Sequence, residues 1–195
     1  MFIPENLILE DERVRLQPLQ LTDLENLKHF AINEPDTWRF SLVSVIGENG
    51  MKDYIEAAIK ERENGYSFPF IVFDKATNSY AGSTRFYDIQ LKNKTLQLGY
   101  TWYGEAFRGT GLNKHCKFLL LQYAFEQLEM ERVEFRADAN NQKSIAAMQS
   151  IGCTIEGILR SHAPIQAGGR RNSIILSILK NEWENGVKEK LMAKL

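Results

Sequence analysis

Tyr103-Gly104-Glu105-Ala106-Phe107-Arg108-Gly109-Thr110-Gly111-Leu112-Asn113 joins a stretch rich in aromatic and β-branched residues to a segment with the apolar spacing of a helix. A glycine-rich turn therefore sits at a predicted helix N-terminus. The first amides of a helix lack intrahelical partners, the macrodipole adds about half a positive charge there, and glycine lets the backbone approach a ligand with no Cβ between them. Such a place suits an anion such as a diphosphate. The same residues also read as an ordinary strand-to-helix turn, because short glycine patterns recur without any ligand.

Upstream of the turn, Phe68 to Asp74, Tyr80 to Ile89 and Thr95 to Tyr103 read as strands separated by the polar turns Lys75-Ala76-Thr77-Asn78 and Lys92-Asn93-Lys94, an antiparallel meander. Downstream, Leu112, Cys116, Leu119, Leu120, Tyr123 and Ala124 form the apolar stripe of a helix, and Arg132 to Ala137 reads as the strand that completes a crossover. Asn141 to Ile151 makes a short helix ended by Gly152, then Thr154 to Leu159 and Ser173 to Leu179 are closing strands before a polar C-terminal helix. At the other end, Val14 to Pro18 is a first strand, and Thr22-Asp23-Leu24-Glu25 has the spacing of a capping box, which starts a helix at Thr22. A second helix runs from about Met51 to Glu63, with Gly65 as its stop, after an irregular stretch holding Trp38, Arg39 and Phe40. This order of elements predicts an α+β fold with a mixed sheet.

No linker, repeat or shift in composition divides the chain, so residues 1–195 are expected to form one domain. Its 24 basic and 25 acidic residues give a net charge of −1, which supplies no global field for nucleic acid or an anionic membrane. The opening Met1-Phe2-Ile3-Pro4-Glu5-Asn6 lacks a basic region followed by an apolar core, and no apolar run nears the length of a bilayer span, so a cytoplasmic location is expected. The two cysteines, Cys116 and Cys153, lack metal-type spacing and read as small buried hydrophobes; no metal is expected.

Two rival phosphate motifs fail on their own terms. A nucleoside-triphosphate loop needs Gly-x-x-x-x-Gly-Lys-Ser/Thr, but Gly104 and Gly109 are followed by Thr110-Gly111, with no lysine for the outer phosphates. A dinucleotide fold places its glycines after the first strand of a βαβ unit, whereas this turn follows a meander.

The motif and the order of elements resemble the GNAT acetyltransferases, in particular the branch of ribosomal-protein N-terminal acetyltransferases of RimJ/RimL type. That family's signature, Gln/Arg-x-x-Gly-x-Gly/Ala, is matched by Arg108 and Gly111, with Asn113 departing from the small final residue. A second block, Asn141-Gln142-Lys143-Ser144 followed by Ile151-Gly152 and Glu156-Gly157, is similar to the branch pattern Asn-x-x-Ser, Gly-Phe, Glu-Gly, with Cys153 where phenylalanine is usual. The terminal run Ser173 to Leu179 with Glu182-Trp183 is a third match, and the resemblance is weakest before residue 65. It implies a mixed, mostly antiparallel central sheet of about seven strands flanked by helices, and acetyl-CoA as co-substrate.

By the same resemblance, the amides from Gly109 through Thr110, Gly111 and Leu112 to Asn113 hold the diphosphate beside Arg108. The strand edge at Thr101, Trp102 and Tyr103 pairs with the pantetheine amides as an added strand would. A backbone amide near Trp102 is the implied oxyanion donor, and Ser144 the implied proton donor to the leaving thiolate. Many GNAT proteins use a tyrosine where this chain has Met148. Ser144 also reads as a first-turn hydroxyl, and Asn141 either as a pantetheine contact or as a helix cap.

For the general base, some relatives carry a carboxylate where this chain has Ala163. Its neighbour His162 would point to the opposite face of a regular strand. Asp88, Glu105 or a water chain are the other candidates. An α-amine ionises about 2.5 pH units below a lysine, so its neutral form is about 3.4 kcal/mol easier to reach, which suits a site with a weak base.

The acceptor is therefore expected to be a protein or peptide N-terminal amine. A small-molecule amine such as an antibiotic or polyamine is the alternative, and a non-catalytic acyl-CoA sensor a third reading. Trp38, Arg39, Phe40, Tyr87, Trp102 and Tyr103 are candidates for the acceptor cleft, and Gln166-Ala167-Gly168-Gly169-Arg170-Arg171 forms a basic loop. Homodimers occur in the family, and the sequence itself is neutral on one.

Overall fold

The computed structural model describes residues 3–165 and 168–195; the readings made at Met1, Phe2, Gln166 and Ala167 lie outside the described residues. A mixed sheet is built from β1 (Leu9–Glu10), β2 (Val14–Pro18), β3 (Ser67–Asp74), β4 (Ser79–Gln90), β5 (Thr95–Tyr103), β6 (Arg132–Asp138), β7 (Thr154–Pro164) and β8 (Arg170–Leu179). Its strand order is β1-β2-β3-β4-β5-β6-β8-β7, and every pairing is antiparallel except β5 with β6. The predicted α+β architecture is borne out with eight strands rather than about seven. The additional one, β1, is two residues long, too short for any alternation to be read from sequence.

The meander β3-β4-β5 follows from its apolar alternation. Phe68, Phe70 and Val72 point to one face, Ile71 to the other, and all four are almost completely buried. On the first face, α3 (Leu112–Gln122) and α4 (Gln142–Ser150) cover the larger core, contributing Leu112, Cys116, Leu120, Ile145 and Met148. On the second, α1 (Leu24–Asn33) and α2 (Gly47–Glu63) enclose a smaller core around Leu27, Phe30, Trp38, Tyr54, Ile71 and Trp102. A side chain's face thus decides which half of the molecule it serves.

Local signals mark most helix ends. Gly65 (φ +76) terminates α2 as predicted: its amide donates to Arg62 O at 2.9 Å and that of Tyr66 to Glu61 O at 3.0 Å, the two bonds of a Schellman stop. At α1 the expected capping box is displaced. Thr22 lies exposed within a short turn, Leu21–Asp23, the helix begins at Leu24, and the buried carboxylate of Asp23 accepts from the Gln20 amide at 2.9 Å. Near the C-terminus, Lys180–Glu182 and Lys188–Met192 are separated by an irregular turn at Asn185 and Gly186, and the segment buries Trp183 and Leu191 on the α3 side. Among the described residues no helix is long and apolar enough to cross a membrane.

The feature that positions the site is the seam between β5 and β6. Their parallel pairing covers only Thr95, Leu96 and Gln97 against Arg132, Val133 and Glu134, although β5 continues to Tyr103 and β6 to Asp138. Beyond Gln97 the two strands diverge, leaving the β6-facing edge of β5 without a ladder partner among the described residues. The helix starts at Leu112 and Gln142 both follow strands that end at this opening.

Candidate active site

After β5 the chain makes a short turn at Glu105–Phe107, and Gly109 (φ +75) and Gly111 (φ +90) then carry it into α3. A Cβ at either glycine would meet nothing within 4 Å, so the backbone angle rather than crowding demands glycine. The amides of Gly109, Thr110, Gly111 and Asn113 donate to no group among the described residues, and that of Leu112 reaches only the Thr110 hydroxyl, at 3.5 Å. Consecutive free amides at a helix start form an anion cradle. Arg108 braces it: its Nε donates to Tyr103 O at 2.9 Å and its Nη2 to Thr37 Oγ1 at 2.7 Å. The departure at Asn113 also has a local cause, since its Oδ1 accepts the Tyr103 hydroxyl proton at 3.2 Å and so ties the helix start to the end of β5.

Where the seam opens, β5 bulges. One residue of β4, Thr84, stands between Ser83 and Arg85, while their partners Trp102 and Gly99 enclose two, Tyr100 and Thr101, with Tyr100 at φ +49. Thr101 turns to the α3 side, where its hydroxyl lies 2.7 Å from that of Thr84 and accepts from Lys117 Nζ at 2.7 Å. Burial pushes the Lys117 ammonium down to about 8, and no carboxylate pairs with it among the described residues. Sequence reading missed Lys117, yet it shares the buried helical stripe of Leu121 and Ala124 at i, i+4 and i+7, which is the signal that marks it. Tyr103, by contrast, belongs to the larger core on the α3 side, so its assignment to the acceptor cleft is corrected.

At the end of β6 the short helix α4 begins. Asn141 is its N-cap: the side-chain Oδ1 accepts from the Ser144 amide at 3.1 Å. Ser144 is half-buried, and its hydroxyl makes no hydrogen bond among the described residues. Met148, one turn further, is packed into the larger core. Burial raises the thiols of both Cys116 and Cys153 to about 12, which makes them inert apolar groups.

On the opposite face the seam is overhung by aromatic and cationic groups. The rings of Trp38 and Trp102 lie 5.0 Å apart, and Trp102 also meets Phe30 at 5.5 Å and Tyr54 at 6.4 Å. The indole nitrogens of Trp38 and Trp102 are buried with no acceptor among the described residues. Arg85 lies over the rings of Tyr54 (5.0 Å) and Tyr100 (4.1 Å) and is paired with Glu61 at 3.0 Å. Arg171 is not part of a basic loop, as the sequence suggested. It lies buried in β8, donating through Nε to Ser173 Oγ at 2.8 Å and through Nη1 to Phe40 O at 3.1 Å, with no carboxylate in ion-pair contact among the described residues. Arg39 is exposed, its guanidinium 5.4 Å from the Phe40 ring.

The candidate bases separate clearly. Asp88 is exposed at the closed end of the seam, accepting from Gln97 Nε2 at 2.7 Å and Gln90 Nε2 at 3.0 Å. Glu105 is exposed in the turn leading to the glycines. His162 was expected on the face away from Ala163, but it shares that face: its Nδ1 lies 2.8 Å from Ser173 Oγ, on the side of the sheet that carries Arg171.

The model for "Acetyltransferase (GNAT) domain" matches residues 13–154. YdaF of Bacillus subtilis (strain 168), named provisionally as a ribosomal N-acetyltransferase, is 33% identical over 106 residues, 54% of this chain and 57% of that relative, so the chain spans little over half of it. A crystal structure from T. thermophilus that carries a provisional acetyltransferase name is 31% identical with a TM-score of 0.88, covering 99% of this chain and 98% of that one. A GCN5-related N-acetyltransferase from Brucella melitensis is 25% identical with a TM-score of 0.89, covering 97% and 86%. With one family model running through the meander, the glycine turn and the short helix alike, this chain belongs to the GNAT acetyltransferases, enzymes that move an acetyl group from acetyl-CoA to an amine nitrogen.

Proposed function

We propose that the acceptor is the N-terminal α-amine of a protein or peptide, of the ribosomal-protein kind, acetylated in the cytoplasm by direct attack within a ternary complex on one 195-residue domain. The observation that carries this reading is the chemistry of the α1/α2 face. Among the described residues it offers two buried indole N–H groups without acceptors and a buried Arg171 without a carboxylate in ion-pair contact. Three of its acids are already engaged: Glu61 with Arg85, Glu134 with Arg132 and Arg136, and Asp138 with the Asn140 amide. A polycation such as a polyamine or aminoglycoside needs free carboxylates. A peptide N-terminus brings one amine followed by carbonyl oxygens, which need donors. The provisional name of YdaF points the same way.

In this reading the cradle from Gly109 to Asn113 holds the diphosphate, and the unpaired β5 edge from Thr101 to Tyr103 receives pantetheine as a strand. The amine nitrogen forms a bond to the acetyl carbon while a backbone amide near Trp102 meets the oxyanion; the carbon–sulfur bond breaks, the thiolate takes the Ser144 proton, and the amine gives up its own to solvent, from which Ser144 is reprotonated. Ser144→Ala should leave acetyl-CoA affinity within about twofold by calorimetry and lower kcat by about 10- to 100-fold. An unchanged kcat removes Ser144 as the acid.

The acceptor class is tested by thiol release from acetyl-CoA with unblocked seryl and alanyl peptides, spermidine and kanamycin. Turnover confined to the peptides is expected. Turnover confined to spermidine or kanamycin overturns the reading in favour of a small-molecule enzyme, and acetyl-CoA binding without turnover on any of them overturns it as well.

A further inference from the structure

We propose that His162 is the general base of the transfer, drawing the proton from the acceptor amine through bridging water, with Ser173 and Arg171 as positioning residues. This rests on the acetyl-transfer reaction at the seam and not on the choice of a peptide over a small amine.

A regular strand would deny His162 this role. Ala163 pairs with Arg171 and Leu159 with Ser173, and directly opposed residues share a face, so strict alternation would send the side chain of residue 162 away from both. Between those two pairs, however, β7 holds Arg160, Ser161 and His162, while β8 holds Asn172 alone. The excess is taken up by a bulge with Ser161 at φ +52, pinned from both sides: its amide donates to Asn172 Oδ1 at 2.8 Å, and its carbonyl accepts from Arg170 Nε at 3.0 Å and Nη2 at 2.8 Å. A non-glycine residue held at such an angle by three hydrogen bonds re-aims the side chain that follows it. The imidazole comes to rest on the α1/α2 side, with Nδ1 2.8 Å from Ser173 Oγ.

Ser173 is completely buried, and its oxygen also accepts from Arg171 Nε at 2.8 Å. A serine oxygen has two lone pairs, so it can accept from Arg171 Nε and from His162 Nδ1 together. That tautomer makes Nε2 the basic nitrogen, and Nε2 has no partner among the described residues. The position fits the seam. Ser173 stands opposite Asp138, the last residue of β6, and the imidazole leans over β8 from β7, so it lies more than one strand spacing of about 4.8 Å beyond the β6 wall, on the side of the sheet that carries the seam's cationic groups. Bridging water spans the distance from there to the seam.

Every charged neighbour favours a neutral imidazole or is already engaged. Arg136 projects from β6, Arg170 and Arg171 from β8, and Asp138 at the end of β6 is occupied by the Asn140 amide. From across the seam Tyr87 and Tyr100 face the cluster; burial raises both phenols, and Arg171 is among the groups that draw them back. Partial burial, then the fields of Arg136, Arg171 and Arg170, holds the His162 pKa below its ordinary value, which favours the neutral ring that a base needs. In the step itself the nitrogen–carbon bond forms as the amine proton passes to the water and a water proton to Nε2, and the imidazolium then releases it to solvent.

The test is kcat/KM against pH, from thiol release with an unblocked seryl peptide, for the wild type, His162→Ala and His162→Asn. Acetyl-CoA binding is followed by calorimetry in each. The asparagine amide can keep the bond to Ser173 but carries no basic nitrogen. On the acid side the wild type should fall with slope one below the pKa of the amine and slope two below that of the imidazole. Both variants should lose about 100-fold at pH 7 and keep slope one throughout, with acetyl-CoA affinity within about twofold, and added imidazole should restore part of the rate of His162→Ala. Should His162→Ala lose its fold, His162→Asn decides. A profile unchanged in either folded variant, or a loss confined to KM, overturns the proposal. A wild type that turns over no acceptor at all fails the transfer reading instead.

Discussion

Gly111→Val should abolish acetyl-CoA binding while leaving the protein folded. Two effects combine at this residue. Its φ of +90 is an angle that a β-branched side chain reaches only with strain, on the order of 1–3 kcal/mol, so the turn relaxes toward negative φ and the free amides of Gly109, Thr110 and Asn113 cease to converge. In addition, the space within 4 Å of the missing Cβ is open, and it is the space a diphosphate on those amides would use. Losing such a cradle should raise the Kd for acetyl-CoA by more than about 100-fold, or about 2.7 kcal/mol, in calorimetry. The melting temperature should fall by only a few degrees, because the residue is exposed and supports no core side chain. Binding within threefold of wild type would place the anion elsewhere. Gly104→Ala is the useful contrast: a Cβ there meets the buried Phe30 ring at 2.1 Å, so that substitution should act on stability before it acts on the ligand.

The contrast between Gly111 and His162 explains what the sequence could and could not disclose. Glycines at fixed spacing before an apolar stripe report a local backbone need, and the strand, the turn and α3 were all legible because each is set by residues a few positions apart. The same holds for the Schellman stop at Gly65 and for the alternation of Phe68 to Val72. What failed depended on longer-range pairing. The bulge at Ser161 is fixed by Asn172 and Arg170 on the neighbouring strand, and nothing within β7 announces it. Arg171 looked like part of a basic loop because its partners, Ser173 and Phe40 O, are brought together only when the α1–α2 connection folds over the sheet. Thr22 and Glu25 have the spacing of a capping box, but the chain enters α1 through an extra turn and Asp23 takes the bond instead. The second core around Trp38, Tyr54 and Trp102 joins three segments whose aromatics gave no sign of which face they would share.

Lys117→Met should make the protein more stable at pH 7 and remove a rise in stability that the wild type shows in alkali. The Lys117 ammonium is buried beneath α3 with two threonine hydroxyls and no carboxylate among the described residues, and burial lowers its pKa from 10.5 to about 8. Below pH 8 both the native and the unfolded chain hold this proton, so the native state carries the whole penalty of the buried charge. Between pH 8 and about 10.5 the unfolded chain still binds the proton while the native one has released it. Because stability rises with pH wherever the unfolded state binds more protons, the wild type should gain on the order of 3 kcal/mol across that window and level off above it. Methionine is close in length, has no charge to desolvate, and leaves Thr84 and Thr101 hydrogen-bonded to each other at 2.7 Å. The variant should therefore be about 2–3 kcal/mol more stable at pH 7, which for a chain of this size is a rise in Tm of about 5–10 °C. The two proteins should converge near pH 10.5, since there neither native state holds a charge at this position. Urea titrations at half-unit intervals from pH 7 to 10.5 measure the difference directly. A constant difference across that range would mean that the ammonium is not the source of the penalty, and a less stable variant would mean that the bonds to Thr84 and Thr101 outweigh it.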